Sequence, residues 1–141
     1  MSFNLHPTLK ADSFIIGDFE LCQLLLLNDY QYPWFVLVPK RADIKEIYQL
    51  SDTDQKQFWF ESRVLSEVVM QHFEGDKLNV AAIGNMVPQL HIHHIVRFES
   101  DACWPKPVWG QKPMLAYENS IAEEVVRNIS HKLKDYGFKS M

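Results

Sequence analysis

The sequence has few cysteines, no excess of basic residues and no long apolar run. Its 141 residues include two cysteines, Cys22 and Cys103, which are far apart and not in metal-site or redox-site spacing. We therefore expect reduced thiols and a cytoplasmic protein. The formal net charge of −4 argues against wrapping a nucleic-acid backbone. No stretch approaches the roughly 20 apolar residues that span a membrane, and the N-terminus does not read as a signal peptide. Neither a nucleic acid nor a membrane is an expected partner.

The apolar pattern predicts a single α+β domain over residues 1–141, built on a five-stranded, mostly antiparallel sheet. A hairpin is predicted over residues 14–27, with Gly17-Asp18 as its two-residue turn. Further strands are predicted at 34–38, 78–83 and 89–97. We expect the last two to form a hairpin in which Lys77 lies opposite Arg97.

Two main helices are predicted. Ser51 and the acidic residues after it favour a helix start, and apolar residues then recur at helical spacing until Gly75 ends the run. The second helix is predicted to begin at a capping box over residues 120–123. Gly137 is its candidate C-cap.

Residues 89–97 form the most informative segment, with half of the chain's six histidines in four positions. Alternate residues of a strand share a face, so Gln89, His91 and His93 are predicted to form one polar row. A row of ring nitrogens on a rigid strand favours chemistry over packing. His94 is predicted to point to the opposite face, where we expect a core, helix-contact or interface role.

Three interpretations of the row are open. In the first, the neutral imidazole of His91 attacks a phosphorus atom while His93 and Gln89 bind phosphoryl oxygens; a protonated His93 would also offset negative charge. In the second, His91 and His93 share a metal ion. Zinc usually takes a third protein ligand, and the candidates are all distant in sequence: acidic residues, Cys103, His6 and His72. In the third, the histidines are hydrogen-bonded structural residues.

The segment resembles the active-site strand of histidine triad (HIT) proteins, whose pattern is His-x-His-x-His with apolar residues at x. Gln89 stands at the first histidine position, His91 at the second and His93 at the third. The resemblance extends over most of the chain and includes residues 27–40, which are similar to the family's nucleotide-binding strand pair. Residues 89–97 followed by 104–110 are similar to a bacterial subgroup described as diadenosine-tetraphosphate-hydrolase-like.

The resemblance implies an α+β HIT-like fold and nucleotide hydrolysis or nucleotidyl transfer at an α-phosphate, with His91 as the nucleophile. It implies that His93 contacts phosphate oxygens and that the backbone carbonyl of Gln89 orients the other ring nitrogen of His91. The Gln89 side chain can donate a hydrogen bond to phosphate, but it carries neither a proton nor a positive charge. We therefore expect a weaker or differently selective enzyme. No cofactor or bound metal is required, although a divalent cation can accompany a polyphosphate substrate, and we expect a homodimer.

Two loops carry further candidate nucleotide contacts. Asn28 or Asp29 is expected at the ribose hydroxyls, although an Asn-Asp pair also forms turns. Asn85 lies where many HIT proteins have a turn that contacts phosphate, and its amide can stand in for the family's residue. Met86 beside it cannot replace a hydroxyl.

Three more residues have two interpretations each. Arg97 shares the strand parity of His91 and His93, and it either serves phosphate or caps the sheet edge. Trp104 and Trp109 either stack on a base or pack under a long loop.

An alternative to the enzyme is a nucleotide-binding regulatory module with little turnover. Gln89 and Met86 favour it, because both replace side chains that would contribute to catalysis.

Overall fold

The computed structural model describes residues 2–141, which form one six-stranded antiparallel sheet with helices packed against it. The strands are β1 (Ser13–Asp18), β2 (Cys22–Leu27), β3 (Trp34–Pro39), β4 (Lys77–Ala81), β5 (Ile92–Arg97) and β6 (Lys139–Ser140), in the order β4-β5-β3-β2-β1-β6. The helices are α1 (Pro7–Ala11), α2 (Asp52–Phe73) and α3 (Asn119–Leu133), with 3-10 turns at Ile47–Gln49 and Lys134–Tyr136. The predicted α+β fold is confirmed, with one more strand and one more helix than expected. In the part of the chain described, no helix has the length and apolar character needed to cross a membrane.

The two faces of the sheet bury different clusters. One face packs under α2 and α3, where Phe35, Ile92 and Val96 contact the helices' buried apolar residues. The other face carries Trp34, Val36 and Ile95 and is covered by the N-terminal segment and by residues 103–109. The histidine strand β5 is therefore sandwiched between two apolar layers, which leaves its side chains little freedom.

The predicted β4-β5 hairpin is confirmed in its register. Lys77 lies opposite Arg97, and Ala81 lies opposite His93. The other edge of β5 pairs with β3, where Val36 lies opposite His93. Because β5 has a bonded neighbour on each side, its histidines stand on a central, rigid part of the sheet.

The turn predicted at Gly17-Asp18 is wrong. Both residues lie in β1, and the connection to β2 is made by residues 19–21. The reason is the short strand β6, which pairs with Gly17 and Asp18. A Cβ atom at Gly17 would clash with the backbone carbonyl of Lys139, so the glycine serves a close approach of two strands and not a turn.

The helix ends differ from the prediction in detail. Ser51 caps α2 as predicted, since its Oγ accepts from the backbone N–H of Asp54 at 3.1 Å. The helix ends at Phe73, and the left-handed residue after it is Glu74, with φ of 52°. The capping box predicted at 120–123 is absent from α3, which begins at Asn119 after a Glu118 cap without a side-chain bond. Gly137 adopts the left-handed conformation after the following 3-10 turn.

Candidate active site

His91 is held in one tautomer by the peptide before it. Its Nδ1 lies 2.7 Å from the backbone carbonyl oxygen of Gln89, and a carbonyl only accepts, so Nδ1 carries the proton. In the neutral imidazole, Nε2 therefore keeps its lone pair. The side chain is only 7% exposed, just before the start of β5. This geometry matches the expected role of the Gln89 carbonyl and presents Nε2 as a nucleophilic atom.

His93 is held in the opposite tautomer by a tryptophan on the neighbouring strand. The indole Nε1–H of Trp34 donates to Nδ1 of His93 at 2.9 Å, so the proton of the neutral imidazole is on Nε2. Trp34 lies opposite Ile95 in the β3-β5 register, two positions along β5 from His93 and on the same face, within diagonal reach. His93 can then offer a neutral N–H donor to a phosphoryl oxygen.

The surroundings of His93 do not favour the protonated form that would offset negative charge on phosphate. Burial and, to a smaller extent, the nearby His91 and His94 together lower the pKa of His93 to about 3. Protonation would also break the bond from Trp34, because the acceptor lone pair on Nδ1 would be lost. His93 can therefore stabilise charge only as a neutral hydrogen-bond donor.

Trp109 joins this pair of histidines, whereas Trp104 does not. The ring centroids of His91 and His93 are 5.0 Å apart, and that of Trp109 is 5.1 Å from His93 and 5.7 Å from Trp34. The indole of Trp104 instead lies against the guanidinium of Arg97, 5.6 Å from the ring centroid. Of the two tryptophans, the structure brings only Trp109 to the histidines, as an aromatic wall.

His94 lies on the helix-facing side, as predicted. Its Nε2 is 2.7 Å from the Oγ of Ser62 on α2, and its Nδ1 is 3.1 Å from the carbonyl oxygen of Ile92. Burial lowers its pKa to about 4. It links the sheet to the long helix and takes no part in the row.

The two buried imidazoles predict a loss of stability on acidification. His93 and His94 have pKa values of about 3 and about 4 in the folded chain, against 6.5 ordinarily. Below pH 6.5 the unfolded chain binds protons that the folded chain does not, so the free energy of unfolding falls as the pH decreases. Each group contributes a slope of at most about 1.4 kcal/mol per pH unit. Urea unfolding at pH 7, 6 and 5 measures it, and equal stability at pH 7 and 5 would contradict the buried, neutral state of both rings.

The Gln89 side chain contacts the N-terminal segment. Its Oε1 accepts from the backbone N–H of His6 at 2.8 Å, and its Nε2 donates to the backbone carbonyl of Asn4 at 2.8 Å. Gln89 also precedes β5 and is not part of the strand. Both ends of the amide are thus already bonded, and phosphate contact by this side chain stays a prediction that its surroundings do not favour.

Arg97 is bonded within the protein, and its predicted role in phosphate or nucleotide binding stays a prediction that its surroundings do not favour. Its guanidinium is 1% exposed and bonds both carboxylate oxygens of Asp101, at 2.7 and 3.1 Å. It also donates to Asn79 at 2.9 Å and lies over the ring of Tyr32. Burial raises the pKa of Asp101, but bonds from Arg97 and the backbone outweigh this and hold the pKa below its usual range. Arg97 does lie on the same face of β5 as His93, as the alternation of side chains predicted. Its positive charge is paired with the carboxylate of Asp101, four residues later in the chain.

Arg97→Ala is therefore expected to destabilise the fold. Removing one partner of a buried ion pair leaves Asp101 charged and buried, which costs about 3–5 kcal/mol. The matched control is the exposed pair of Arg63 and Glu67, 3.0 Å apart, where Arg63→Ala should cost under about 1 kcal/mol. Chemical denaturation of both variants measures the difference. Unchanged stability in Arg97→Ala, with weakened nucleotide binding, would restore the phosphate interpretation.

Asn28 and Asp29 both bond to protein groups. Oδ1 of Asn28 accepts from the backbone N–H of Tyr117 at 2.9 Å. Oδ1 of Asp29 accepts from the backbone and side-chain nitrogens of Gln31, at 3.1 and 3.0 Å, and from the N–H of Leu115 at 3.5 Å. These bonds attach residues 115–117 to the loop between β2 and β3. The structure thus supports the turn-forming interpretation, and the ribose contact stays a prediction.

The loop before the triad is open to solvent. Asn85 is exposed, and Met86 is 93% exposed. Gly84 and Lys45 line a small cleft that reaches His91. Asn85 does not line that cleft, and its contact with phosphate stays a prediction.

The metal interpretation finds no third ligand. Within residues 2–141, no group of three or more histidine, cysteine, aspartate or glutamate side chains is arranged to hold a metal ion. Cys103 instead lies 3.2 Å from the hydroxyl of Tyr32, and His6 caps α1 by accepting from the N–H of Thr8.

Trp34 was missed as a site residue in the sequence prediction. It starts β3 and lies in the predicted strand 34–38, and nothing in its local pattern signals a polar contact. The sequence did offer one indication of a polar contact: the indole N–H of a tryptophan on a buried strand needs a hydrogen-bond acceptor. Only the pairing of β3 with β5 identifies that acceptor as His93.

Two imidazoles on and just before a central antiparallel strand, one with a free Nε2 and one with a donor Nε2–H, define a histidine-based site on an α+β fold. The model of the HIT domain matches residues 8–100. The chain belongs to the HIT family.

Solved structures of HIT proteins match almost the whole chain. A histidine triad protein from Marinobacter aquaeolei VT8 is 47% identical, with a TM-score of 0.93 over 96% of this chain and 98% of that one. Another from Bradyrhizobium japonicum is 40% identical, with a TM-score of 0.92 over 94% and 98%. A third from Sinorhizobium meliloti 1021 is 38% identical, with a TM-score of 0.91 over 93% and 97%. The comparison with curated proteins found no match.

Proposed function

We propose that this chain is a nucleotide hydrolase or nucleotidyltransferase that acts at an α-phosphate through a covalent intermediate on His91. The observation that carries the proposal is the 2.7 Å contact between Nδ1 of His91 and the Gln89 carbonyl. In the neutral imidazole, this contact places the proton on Nδ1 and leaves the lone pair of Nε2 available for attack. Membership of the HIT family supports the same reaction class.

The reaction has two displacements. Nε2 of His91 attacks the α-phosphorus, an N–P bond forms, and the bond from phosphorus to the leaving group breaks, with its electron pair going to that group. A water molecule then attacks phosphorus, the N–P bond breaks, its electron pair returns to Nε2, and the water's proton passes to solvent. Another acceptor in place of water gives nucleotidyl transfer.

His93 has a supporting role in both steps. Its Nε2–H, set by the bond from Trp34, is available to a phosphoryl oxygen as negative charge develops there. The Nε2–H of the neutral His93 can donate to phosphate at any pH above the lowered pKa of this imidazole, about 3. We propose no charged partner at this position.

Isotope labelling tests the site of attack. Wild-type protein is incubated in H₂¹⁸O with adenosine polyphosphates and with an adenosine phosphoramidate, and the products are weighed by mass spectrometry. The proposal expects one ¹⁸O atom in the nucleoside monophosphate, because water attacks the α-phosphorus. Label only in the leaving group, or no turnover of either class, would contradict it.

The second candidate is a nucleotide-binding module with little turnover. It is favoured by the occupied state of two side chains that would otherwise help catalysis: Arg97 is paired with Asp101, and Gln89 with the N-terminal segment. Calorimetry that finds nucleotide binding in a protein without turnover would select this candidate over the enzyme.

The proposed substrates and the absence of a required cofactor follow from the resemblance to HIT proteins. We propose nucleotides or dinucleoside polyphosphates as substrates, in the manner of the diadenosine-tetraphosphate-hydrolase-like subgroup. No cofactor takes part in the covalent steps, since both are completed by side chains and water. A divalent cation enters only with a polyphosphate. Turnover of a phosphoramidate should therefore survive chelation, and its loss would contradict this point.

We also propose a homodimer. The strand β4 bonds to β5 on one side and has no strand neighbour on the other within residues 2–141. Apolar side chains are exposed on β4, after it and on α2: Val80, Ile83, Trp59 and Phe60. An unpaired edge beside exposed apolar side chains is the kind of surface that a second copy covers. Sedimentation equilibrium that gives a monomer at micromolar concentration would contradict it.

A further inference from the structure

We infer that the side chain of Gln89 is a positioning residue: it fixes the N-terminal segment, residues 3–6, to the peptide that orients His91. The inference rests on the proposed function and gives the first position of the triad a different task from phosphate binding. Gln89 touches no reacting atom in this role. It acts through the geometry of His91.

Three hydrogen bonds meet at this one residue. Its backbone carbonyl accepts from Nδ1 of His91 at 2.7 Å. Its side-chain amide accepts from the N–H of His6 at 2.8 Å and donates to the carbonyl of Asn4 at 2.8 Å. The residue thus joins parts of the chain that are 83 and 85 positions apart in sequence. Any movement of the segment is transmitted to the carbonyl that selects the tautomer of His91.

The segment itself is firmly seated, which makes it a useful anchor. Phe3 and Leu5 pack against the apolar cluster that contains Trp34 and Val36. Nδ1 of His6 then caps α1 by accepting from the N–H of Thr8 at 3.1 Å. The backbone atoms that Gln89 bonds to are therefore held in place by the apolar contacts of Phe3 and Leu5 and by the start of α1.

The chemistry of the amide suits this task better than an imidazole. A glutamine side chain presents one acceptor and one donor side by side, which match the N–H of His6 and the carbonyl of Asn4. A neutral imidazole carries its donor and acceptor on ring nitrogens that point in different directions, and a protonated one has no acceptor. The glutamine at the family's first histidine position is thereby explained as an adaptation to the N-terminal segment.

The same contact shapes the surroundings of the triad. Gln89, residues 2–4, Ala42 and Asp43 line a cavity of about 490 Å³. Release of the segment would change that cavity as well as the orientation of His91.

Two substitutions separate positioning from phosphate binding. Gln89→Met keeps the side chain's length and removes both hydrogen bonds, and Gln89→His installs the family's usual residue. Positioning predicts that both lower kcat about tenfold or more with little change in KM, because a mis-set tautomer affects the chemical step. Phosphate binding predicts the reverse for Gln89→His, a higher kcat, and that result would overturn the inference. Gln71→Met, on the exposed face of α2, is the matched control and should behave as wild type.

Two measurements do not depend on turnover. Hydrogen exchange should show that the His6 amide loses protection in Gln89→Met and keeps it in Gln71→Met. Nitrogen-15 NMR should show that His91 loses its single Nδ1–H tautomer in Gln89→Met. Unchanged protection and an unchanged tautomer would overturn the inference even if wild type is active. If both change while wild type has no turnover, the positioning stands and the proposed reaction fails.

Discussion

His91→Ala should remove turnover while leaving nucleotide binding largely intact. The variant lacks the only atom assigned to attack phosphorus, so kcat should fall by at least about a thousandfold. The fold should survive, because the one side-chain hydrogen bond that His91 makes within residues 2–141 is the bond to the Gln89 carbonyl. Steady-state kinetics measure kcat, and calorimetry with a non-hydrolysable nucleotide measures binding.

His131→Ala is the control for the loss of a histidine. That residue is exposed on α3, and its removal should leave kcat and binding as in wild type. If His91→Ala keeps more than a tenth of the wild-type kcat, the nucleophile is wrongly assigned. If His91→Ala loses nucleotide binding and turnover together, His91 contributes to binding of the substrate. Its assignment as a residue that acts only as the nucleophile then fails.

Trp34→Phe should lower kcat about tenfold or more by freeing the tautomer of His93. Phenylalanine keeps an aromatic ring between the layers but removes the N–H that donates to Nδ1 of His93. The imidazole can then carry its proton on Nδ1 and turn a lone pair toward the phosphoryl oxygen. One lost hydrogen bond of about 1.4 kcal/mol corresponds to a factor of ten.

The pH dependence distinguishes this effect from simple damage to packing. Loss of the indole donor raises the pKa of His93 above its value of about 3 in wild type, because the neutral form loses a stabilising bond. A protonated His93 again has a donor on Nε2. A bond of about 1.4 kcal/mol moves a pKa by about one, so burial still keeps His93 neutral near pH 6 in the variant. The kcat ratio of wild type to Trp34→Phe should therefore stay constant from pH 8 to about 6 and narrow only as the pH falls toward 4. A ratio that stays constant down to pH 4 would contradict the role of Trp34.

Trp109→Phe is the matched variant for the NMR measurement. Trp109 packs edge-on against His93, and no hydrogen bond joins the two. Nitrogen-15 NMR should show a single Nε2–H tautomer for His93 in wild type and Trp109→Phe, and a mixture in Trp34→Phe.

The alternation of side chains along a strand predicted the geometry of the histidines well. It separated His94 from His91 and His93, and the contact of His94 with Ser62 on α2 confirms that separation. The expected orienting carbonyl of Gln89 is also found in place. The separation of His94 is a local feature that follows from the two-residue period of a strand. The position of the Gln89 carbonyl was implied by the resemblance to HIT proteins.

Long-range contacts account for the errors. Gly17 looked like a turn because the two-residue strand β6, over 120 positions later, leaves no periodic signal. The partners of Arg97 include Asp101 and Asn79, on either side of it in sequence, and parity alone does not identify them. The indole donor of Trp34 and the amide contacts of Gln89 likewise depend on which segments meet in space. The sequence therefore predicted which side chains share a face of the sheet, but not which of them are already bonded to other groups of the protein.

Trapping of the covalent intermediate tests the central claim most directly. Wild type is mixed with adenosine phosphoramidate, quenched in alkaline denaturant within milliseconds to seconds, and digested for mass spectrometry, because an N–P bond survives base better than acid. The account predicts an adenylyl group on the peptide that contains His91, bonded to Nε2, and its absence from His91→Ala. Turnover without any adduct on His91, or an adduct on another residue, would contradict it.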